Sequence, residues 1–250
     1  MNNPATPKTR LFSPETLVAD SELWLTGEQA RYVTRVLRLR SDDRLIIFDG
    51  TGGQYVAAIR ELVDDRVLLQ VGDRHLHDIE SPLAIHLIQG ISRGGRMDVV
   101  IQKSTELGVR RITPVTTQFS VVKLDAGRTT TRHEHWRKIA RSACEQCGRN
   151  TLPEIDMPQK LDSWLAGGSG DAKTRIMLDP DGSESISSLP APDGVVALLI
   201  GPEGGLSSDE STLCIDSGFM AISMGPRTLR TETAALAAIA VIQAYWGDMR

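Results

Sequence analysis

Residues 195–246 limit most sharply what this chain can become. They open with an unbroken apolar run, Val195-Val196-Ala197-Leu198-Leu199-Ile200, the pattern of a strand covered on both faces. The loop Gly201-Pro202-Glu203-Gly204-Gly205-Leu206 follows at once. Ser207 and Glu210 then spell a Ser-x-x-Glu capping box, which predicts a helix start. The outline repeats: residues 220–223 read as a strand, 224–230 as a loop and 231–246 as a helix. Two such units in tandem predict two glycine loops at the carboxyl ends of parallel strands, where open α/β sheets bind ligands. Lacking Cβ atoms, Gly201, Gly204, Gly205 and Gly225 let backbone donors and acceptors close on a flat ligand such as a purine edge. Pro202 and Pro226 stiffen the loops. Taken singly, either loop also reads as an ordinary tight turn of an α/β sheet.

The 250 residues suffice for one large domain or two modest ones. A net charge of −4 and a pI near 5.8 argue against a surface that is basic throughout, while leaving room for a local basic patch. The chain has no apolar run of membrane-spanning length, and its first eight residues lack the apolar core of a signal peptide. With three cysteines, an odd number that fits a reducing compartment, the expected location is cytoplasmic.

From the N-terminus, residues 1 to about 10 read as a loose tail. Thr26 and Gln29 form a second capping-box pattern, followed by Ala30, Val33, Val36 and Leu37 at helical spacing. Arg31, Arg35 and Arg38 fall on another face, with Arg40 just beyond and no acid in the stripe. Together with Arg10 they form the candidate RNA-binding set, because guanidinium forks match phosphate oxygens. A solvated helix face is the alternative. Residues 45–48, 55–59 and 67–71 then read as strands of a small β-barrel. Asp49-Gly50-Thr51-Gly52-Gly53 superficially resembles a nucleotide loop, but a strand follows it where a helix is required, so it reads as a hairpin turn. Residues 74–82, polar and ending in proline, read as a linker, with His75 and His77 as loop residues.

From Leu83 the pattern becomes α/β. Strands are expected at 83–88, 112–115 and 176–178. One helix carries Met97, Val100, Ile101 and Leu107 and ends at Gly108; a longer one carries Trp136, Ile139, Ala140, Ala143 and Cys147 and ends at Gly148. This alternation indicates a mostly parallel sheet. Cys144-x-x-Cys147 lacks the further ligands of a zinc site, so these are expected to be packed thiols and no metal is expected.

Gly201-Pro202-Glu203-Gly204-Gly205 with Gly225-Pro226-Arg227-x-Leu229-Arg230-Thr231-Glu232-Thr233-Ala234 resembles the cofactor region of the SPOUT methyltransferases. Within them it is most similar to the family that methylates N3 of a uridine in bacterial 16S ribosomal RNA. The similarity extends over Gln29-Ala30, residues 35–38, Phe48-Asp49-Gly50, Met97-Asp98, Gln102-Lys103, residues 105–109, Trp136-x-Lys138-Ile139-Ala140 and residues 145–149. Many members carry histidines at the positions of Arg31 and Tyr32, and often an arginine where this chain has Phe119. The resemblance implies an α/β fold of two domains. Residues 1–78 would form a PUA-like β-barrel that binds RNA, and 79–250 a knotted SPOUT methyltransferase domain with a trefoil knot and a mostly parallel sheet. It implies S-adenosylmethionine as cofactor, 16S ribosomal RNA of the small subunit as substrate, and a homodimer. Cofactor contacts are expected from Leu178, Leu199, Ile200, Gly201, Pro202, Glu203, Gly204, Met224, Gly225, Leu229, Arg230, Thr231 and Ala235.

Methyl transfer to uracil N3 also requires the imide proton to leave and the resulting charge to be held. Arg230, at the entrance of a helix, is the candidate for holding it, or else clamps a phosphate. Glu232 or Glu203 could accept the proton, and either could serve the helix dipole alone. A SPOUT enzyme acting on a ribose hydroxyl or a tRNA base, and a non-catalytic RNA-binding or assembly protein, are the other readings.

Overall fold

The computed structural model describes residues 7–120, 126–168 and 172–249. Of the expected loose tail, residues 1–6 lie outside the described residues, as do Val121 and Val122. The chain divides into two compact units, Met1–Glu80 with Cys144–Thr151, and Ser81–Ala143 with Leu152–Arg250.

The first unit is a five-stranded mixed sheet in the order β1-β3-β4-β5-β2. Its strands are β1 (Arg10–Phe12), β2 (Glu22–Leu25), β3 (Arg44–Phe48), β4 (Gly53–Val63) and β5 (Arg66–Leu76). β1 and β2 stand at opposite ends of the order, so the ladders make a half-barrel. Two register shifts along β4, between Tyr55 and Ala57 and between Ile59 and Glu61, are bulges of the kind that bend and twist a strand. Alternate residues Tyr55, Ala57 and Ile59 point into a core shared with Leu45, Ile47, Leu69 and Val71. Asp49 closes the β3–β4 hairpin, accepting from Thr51 N and Oγ1 and from Leu17 N. The short strands β1 and β2, of three and four residues, carry too few residues to show a period in the sequence. β5 also runs further than expected: Arg74, His75 and Leu76 pair with Tyr55, Gln54 and Gly53, so the linker begins only after Leu76.

The helix at Thr26 departs most from expectation. α1 (Gly27–Arg31) is capped by Thr26 without a side-chain bond. Gln29, which should complete the box, instead donates to Phe12 O at 2.6 Å. The chain then widens into a π-helical turn, Tyr32–Val36, and leaves it through Arg38 at φ +55°. A wider turn breaks the 3.6-residue arithmetic. Ala30 and Val33 are buried, whereas Val36 is 65 % exposed.

The second unit is a seven-stranded, all-parallel sheet. β12 (Met220–Ile222), β10 (Thr174–Leu178), β11 (Val196–Ile200), β6 (Ile85–Gly90), β7 (Arg111–Thr116) and β8 (Glu154–Ile155) lie in that order, with β9 (Gln159–Lys160) on β7. β6 and β11 are buried along their whole length, as strands covered on both faces must be. Val196, Leu198 and Ile200 face one core with α2 (Arg96–Glu106) and α6 (Thr231–Trp246). Ala197 and Leu199 face the other, with α4 (Leu161–Ala166) and α5 (Ser208–Asp216). The capping box of α5 forms as the sequence predicts: Glu210 N donates to Ser207 Oγ, and Ser207 N donates to Glu210 Oε2. α6 is pinned by Gln243, which accepts from Ser81 Oγ and donates to Leu107 O.

In α3 (Ala126–Cys147) the buried set is Trp136, Ala140, Ala143 and Cys144, with Cys147 only partly covered. The expected apolar stripe is therefore displaced by three residues at its end. Burial pushes the Cys144 thiol up to about 12, so it stays protonated and inert. Among the described residues no group of three His, Cys, Asp or Glu is placed to hold a metal ion, and no helix is long and apolar enough to cross a membrane.

Candidate functional site

β12, β10 and β11 are neighbours in the sheet and parallel, so the loops leaving their carboxyl ends meet on one side. Those loops wall a cavity of about 950 Å³, a size that holds an extended small-molecule ligand. Leu178 to Asp181 come from the end of β10, Ile200 to Leu206 from β11, and Ile222, Met224, Gly225 and Arg227 to Arg230 from β12. Thr231, Glu232 and Ala234 of α6, Ser208 and Ser211 of α5 and Arg96 of α2 complete the wall. Of the expected cofactor positions, Leu178, Ile200, Gly201, Pro202, Glu203, Gly204, Met224, Gly225, Leu229, Arg230 and Thr231 are all brought together here. Leu199 and Ala235 are not at the wall. Each is fully buried, Leu199 in the core that α4 and α5 cover and Ala235, within α6, in the core that α6 shares with α2.

Two glycines show why the loops need that residue. Gly225 stands at φ +91°, and a Cβ there would meet nothing within 4 Å, so the backbone presents itself bare to open space. At Gly204 a Cβ would come 2.8 Å from the Cβ of Phe119. The 117–120 turn is held there by Gln118 N donating to Glu210 Oε1 at 2.7 Å.

The charged groups are arranged around Arg96, which sequence reasoning missed. Its Nη1 donates to Glu203 Oε1 at 2.5 Å, and its Nε lies 3.8 Å from Glu232 Oε1. Glu203 Oε1 also accepts from Arg93 N at 3.0 Å. Burial pushes the Glu203 carboxyl upward, but the bonds from Arg93 N and Arg96 outweigh it and hold the group below the usual carboxylate range. Glu203 is therefore an anionic strut joining the start of α2 to the first glycine loop. Glu232 is freer, since its Oε2 is buried without a hydrogen-bond partner among the described residues. Arg230, the N-cap residue of α6, is exposed and makes no side-chain cap bond. Thr231 Oγ1 donates to Gly201 O at 2.7 Å, tying α6 to the first loop.

The candidate RNA contacts divide. Arg31 and Arg35 are exposed but share Asp65, at 3.9 and 3.4 Å, an acid supplied by the β4–β5 turn that the helix sequence alone does not reveal. Arg38 and Arg40 are exposed. Arg10 is half-buried and engaged: it donates to Gln54 Oε1 and Asn150 Oδ1, both at 2.6 Å, and lies 5.0 Å from the centre of the Phe48 ring.

Comparison with known proteins gives a consistent answer. The pattern of an RNA methyltransferase domain matches residues 79–243, and that of an RNA methyltransferase PUA domain matches residues 25–72. The ribosomal RNA small subunit methyltransferase E of Buchnera aphidicola (subsp. Schizaphis graminum) is 36 % identical over 240 residues, 96 % of this chain and 97 % of that one. The solved structure of the protein of that name from Neisseria gonorrhoeae, bound to S-adenosyl methionine, superposes with a TM-score of 0.92 at 37 % identity, covering 97 % of this chain and 99 % of its own. A Legionella pneumophila protein described as a methyltransferase and solved with bound SAM has the same TM-score at 39 % identity, covering 96 % of this chain and 98 % of its own. On the domain patterns and on this near full-length similarity, the chain belongs to the RNA methyltransferase family of the ribosomal RNA small subunit methyltransferase E type.

Proposed function

We propose that this protein transfers the methyl group of S-adenosylmethionine to N3 of a uridine in small-subunit (16S) ribosomal RNA, acting as a homodimer in the cytoplasm. One observation carries the reading: the three glycine- and proline-bearing loops form a single cavity, in a chain that matches SAM-bound relatives over almost its whole length. The cavity fits the cofactor chemically. Its wall offers bare backbone at Gly225 and carboxylates at Asp179, Asp181, Glu203 and Glu232, which suit a cationic nucleoside.

When bound, S-adenosylmethionine supplies a methyl group on an already activated sulfonium. The protein's part is alignment and charge. Backbone atoms of residues 200–204 and 224–230 would hold the adenosyl portion, with Leu178 and Met224 at the same wall. Glu232, which Arg96 approaches only to 3.8 Å, is the group that would accept the N3 proton. Glu203 cannot share that role while both Arg93 N and Arg96 bind it. Arg230, aided by the positive end of α6, holds the negative charge spread over the uracil carbonyls. Arg31, Arg35, Arg38 and Arg40 contact phosphates, whereas the Arg10 guanidinium is already engaged by Gln54 and Asn150. For the dimer, apolar side chains exposed on the second unit offer surface: Leu213, Ile215, Met220 and Tyr245 are 40, 54, 37 and 53 % exposed.

The test is nucleoside mass spectrometry of 16S RNA from a strain lacking the gene, followed by methylation of its small subunits with the purified protein. Loss of one 3-methyluridine and its return on incubation are expected. An unchanged nucleoside profile overturns the reading, and a missing ribose-methylated nucleoside would favour a SPOUT enzyme of other specificity.

A further inference from the structure

Gln89 lies in β6, completely buried and outside the cavity wall. Its Nε2 donates to Thr231 Oγ1 at 3.0 Å and to Gly90 O at 3.1 Å. Two acceptors on the same nitrogen fix which way the amide points. The Thr231 hydroxyl, accepting from Gln89, donates onward to Gly201 O at 2.7 Å. A polarised relay thus runs from β6 through the first residue of α6 to the first residue of the glycine loop. Gly90 completes the seat, since a Cβ there would lie 2.4 Å from the Pro202 nitrogen.

Packing alone does not explain this glutamine. Its Oε1 is buried without a hydrogen-bond partner among the described residues, a penalty that a leucine of similar bulk would avoid. What leucine lacks is the N–H that orients the Thr231 hydroxyl. We propose that Gln89 is a positioning residue for methyl transfer, acting through Thr231 to hold the first glycine loop and the entrance of α6 in one register. The inference rests on the reading that the cavity holds S-adenosylmethionine. Loops that grip a ligand with main-chain atoms have no side-chain freedom to absorb a shift, so small displacements of Gly201 translate directly into lost contacts.

The test uses Gln89→Leu, Thr231→Val and the double variant in the full-length protein. Calorimetric titration with S-adenosylmethionine supplies the readout, after circular dichroism confirms folding. Each single variant is expected to bind about tenfold more weakly, and the double variant no more than about threefold worse than either, because both cut one relay. Thr231→Ser, which keeps the hydroxyl, should recover most of the affinity that Thr231→Val loses. Should Gln89→Leu not fold, Gln89→Met and the two Thr231 variants carry the test. Folded variants that bind less than about fivefold more weakly than wild type, with only the melting temperature lowered, would show Gln89 to be structural. Losses that multiply in the double variant would equally overturn the relay. Failure of the wild type to bind would instead remove the proposed function.

Discussion

Arg230 and Arg10 are both arginines that the sequence marks out for nucleic-acid chemistry, and the fold treats them oppositely. Arg230 projects from the N-cap of α6, exposed at the cavity wall. Arg10 sits half-buried over the Phe48 ring, its terminal nitrogens engaged by Gln54 and Asn150. Arg111 goes the way of Arg10, gripped by both oxygens of Asp156 at 2.9 Å; Arg31 and Arg35 are intermediate, exposed yet shadowed by Asp65. A guanidinium is thus most available to a partner where its own unit offers no acceptor within reach. That condition is set by distant segments and not by the residues flanking it.

The contrast can be broken most forcefully at the free arginine. Arg230→Ala should lower kcat/KM by about 10²–10³-fold, as loss of a charge-stabilising donor does, while stability moves by less than about 0.5 kcal/mol. A fall of less than about tenfold would place Arg230 with the engaged arginines.

The next largest effect concerns Arg111 and the buried His86 it helps to surround. Burial, joined by the charge of Arg111 and opposed by that of Asp156, holds His86 down to about 4 from its ordinary 6.5. Between those two values only the unfolded chain takes up a proton, so stability falls as pH drops through the window, by roughly 3 kcal/mol in all. Chemical denaturation at several pH values should show that slope, and His86→Gln should flatten it.

Arg10→Met leaves Gln54 and Asn150 without their donor and should cost about 2 kcal/mol in a denaturant melt, with turnover at saturating substrate unchanged. Smallest is Asp65→Asn, which frees Arg31 and Arg35. It should change stability by less than about 1 kcal/mol, yet tighten RNA binding a few-fold and steepen its salt dependence.

What the sequence revealed followed the range of the forces involved. The bounds of α6 and the Ser207–Glu210 box were legible because every partner lies within a turn or two. The same motif failed at Thr26 because Phe12 O, fourteen residues before the cap, captured Gln29. The glycine loops could be read because apolar strands and turn residues are local signals. Arg96 and Gln89 could not, since Glu203 lies 107 residues from the one and Thr231 142 from the other. Nor does any residue pattern announce the π-helical turn at Tyr32–Val36, which moved Val36 from the core to the surface.

The Gln89–Thr231 bond also has a bearing on when the protein can work. Its two ends are made far apart in time on the ribosome, and every strand of the second unit has emerged before α6 does. A chain that has not yet reached α6 can lay down the first glycine loop, but only the Glu203 strut then fastens it. The second fastening of that loop, and with it the full wall of the cavity, therefore arrives only with α6.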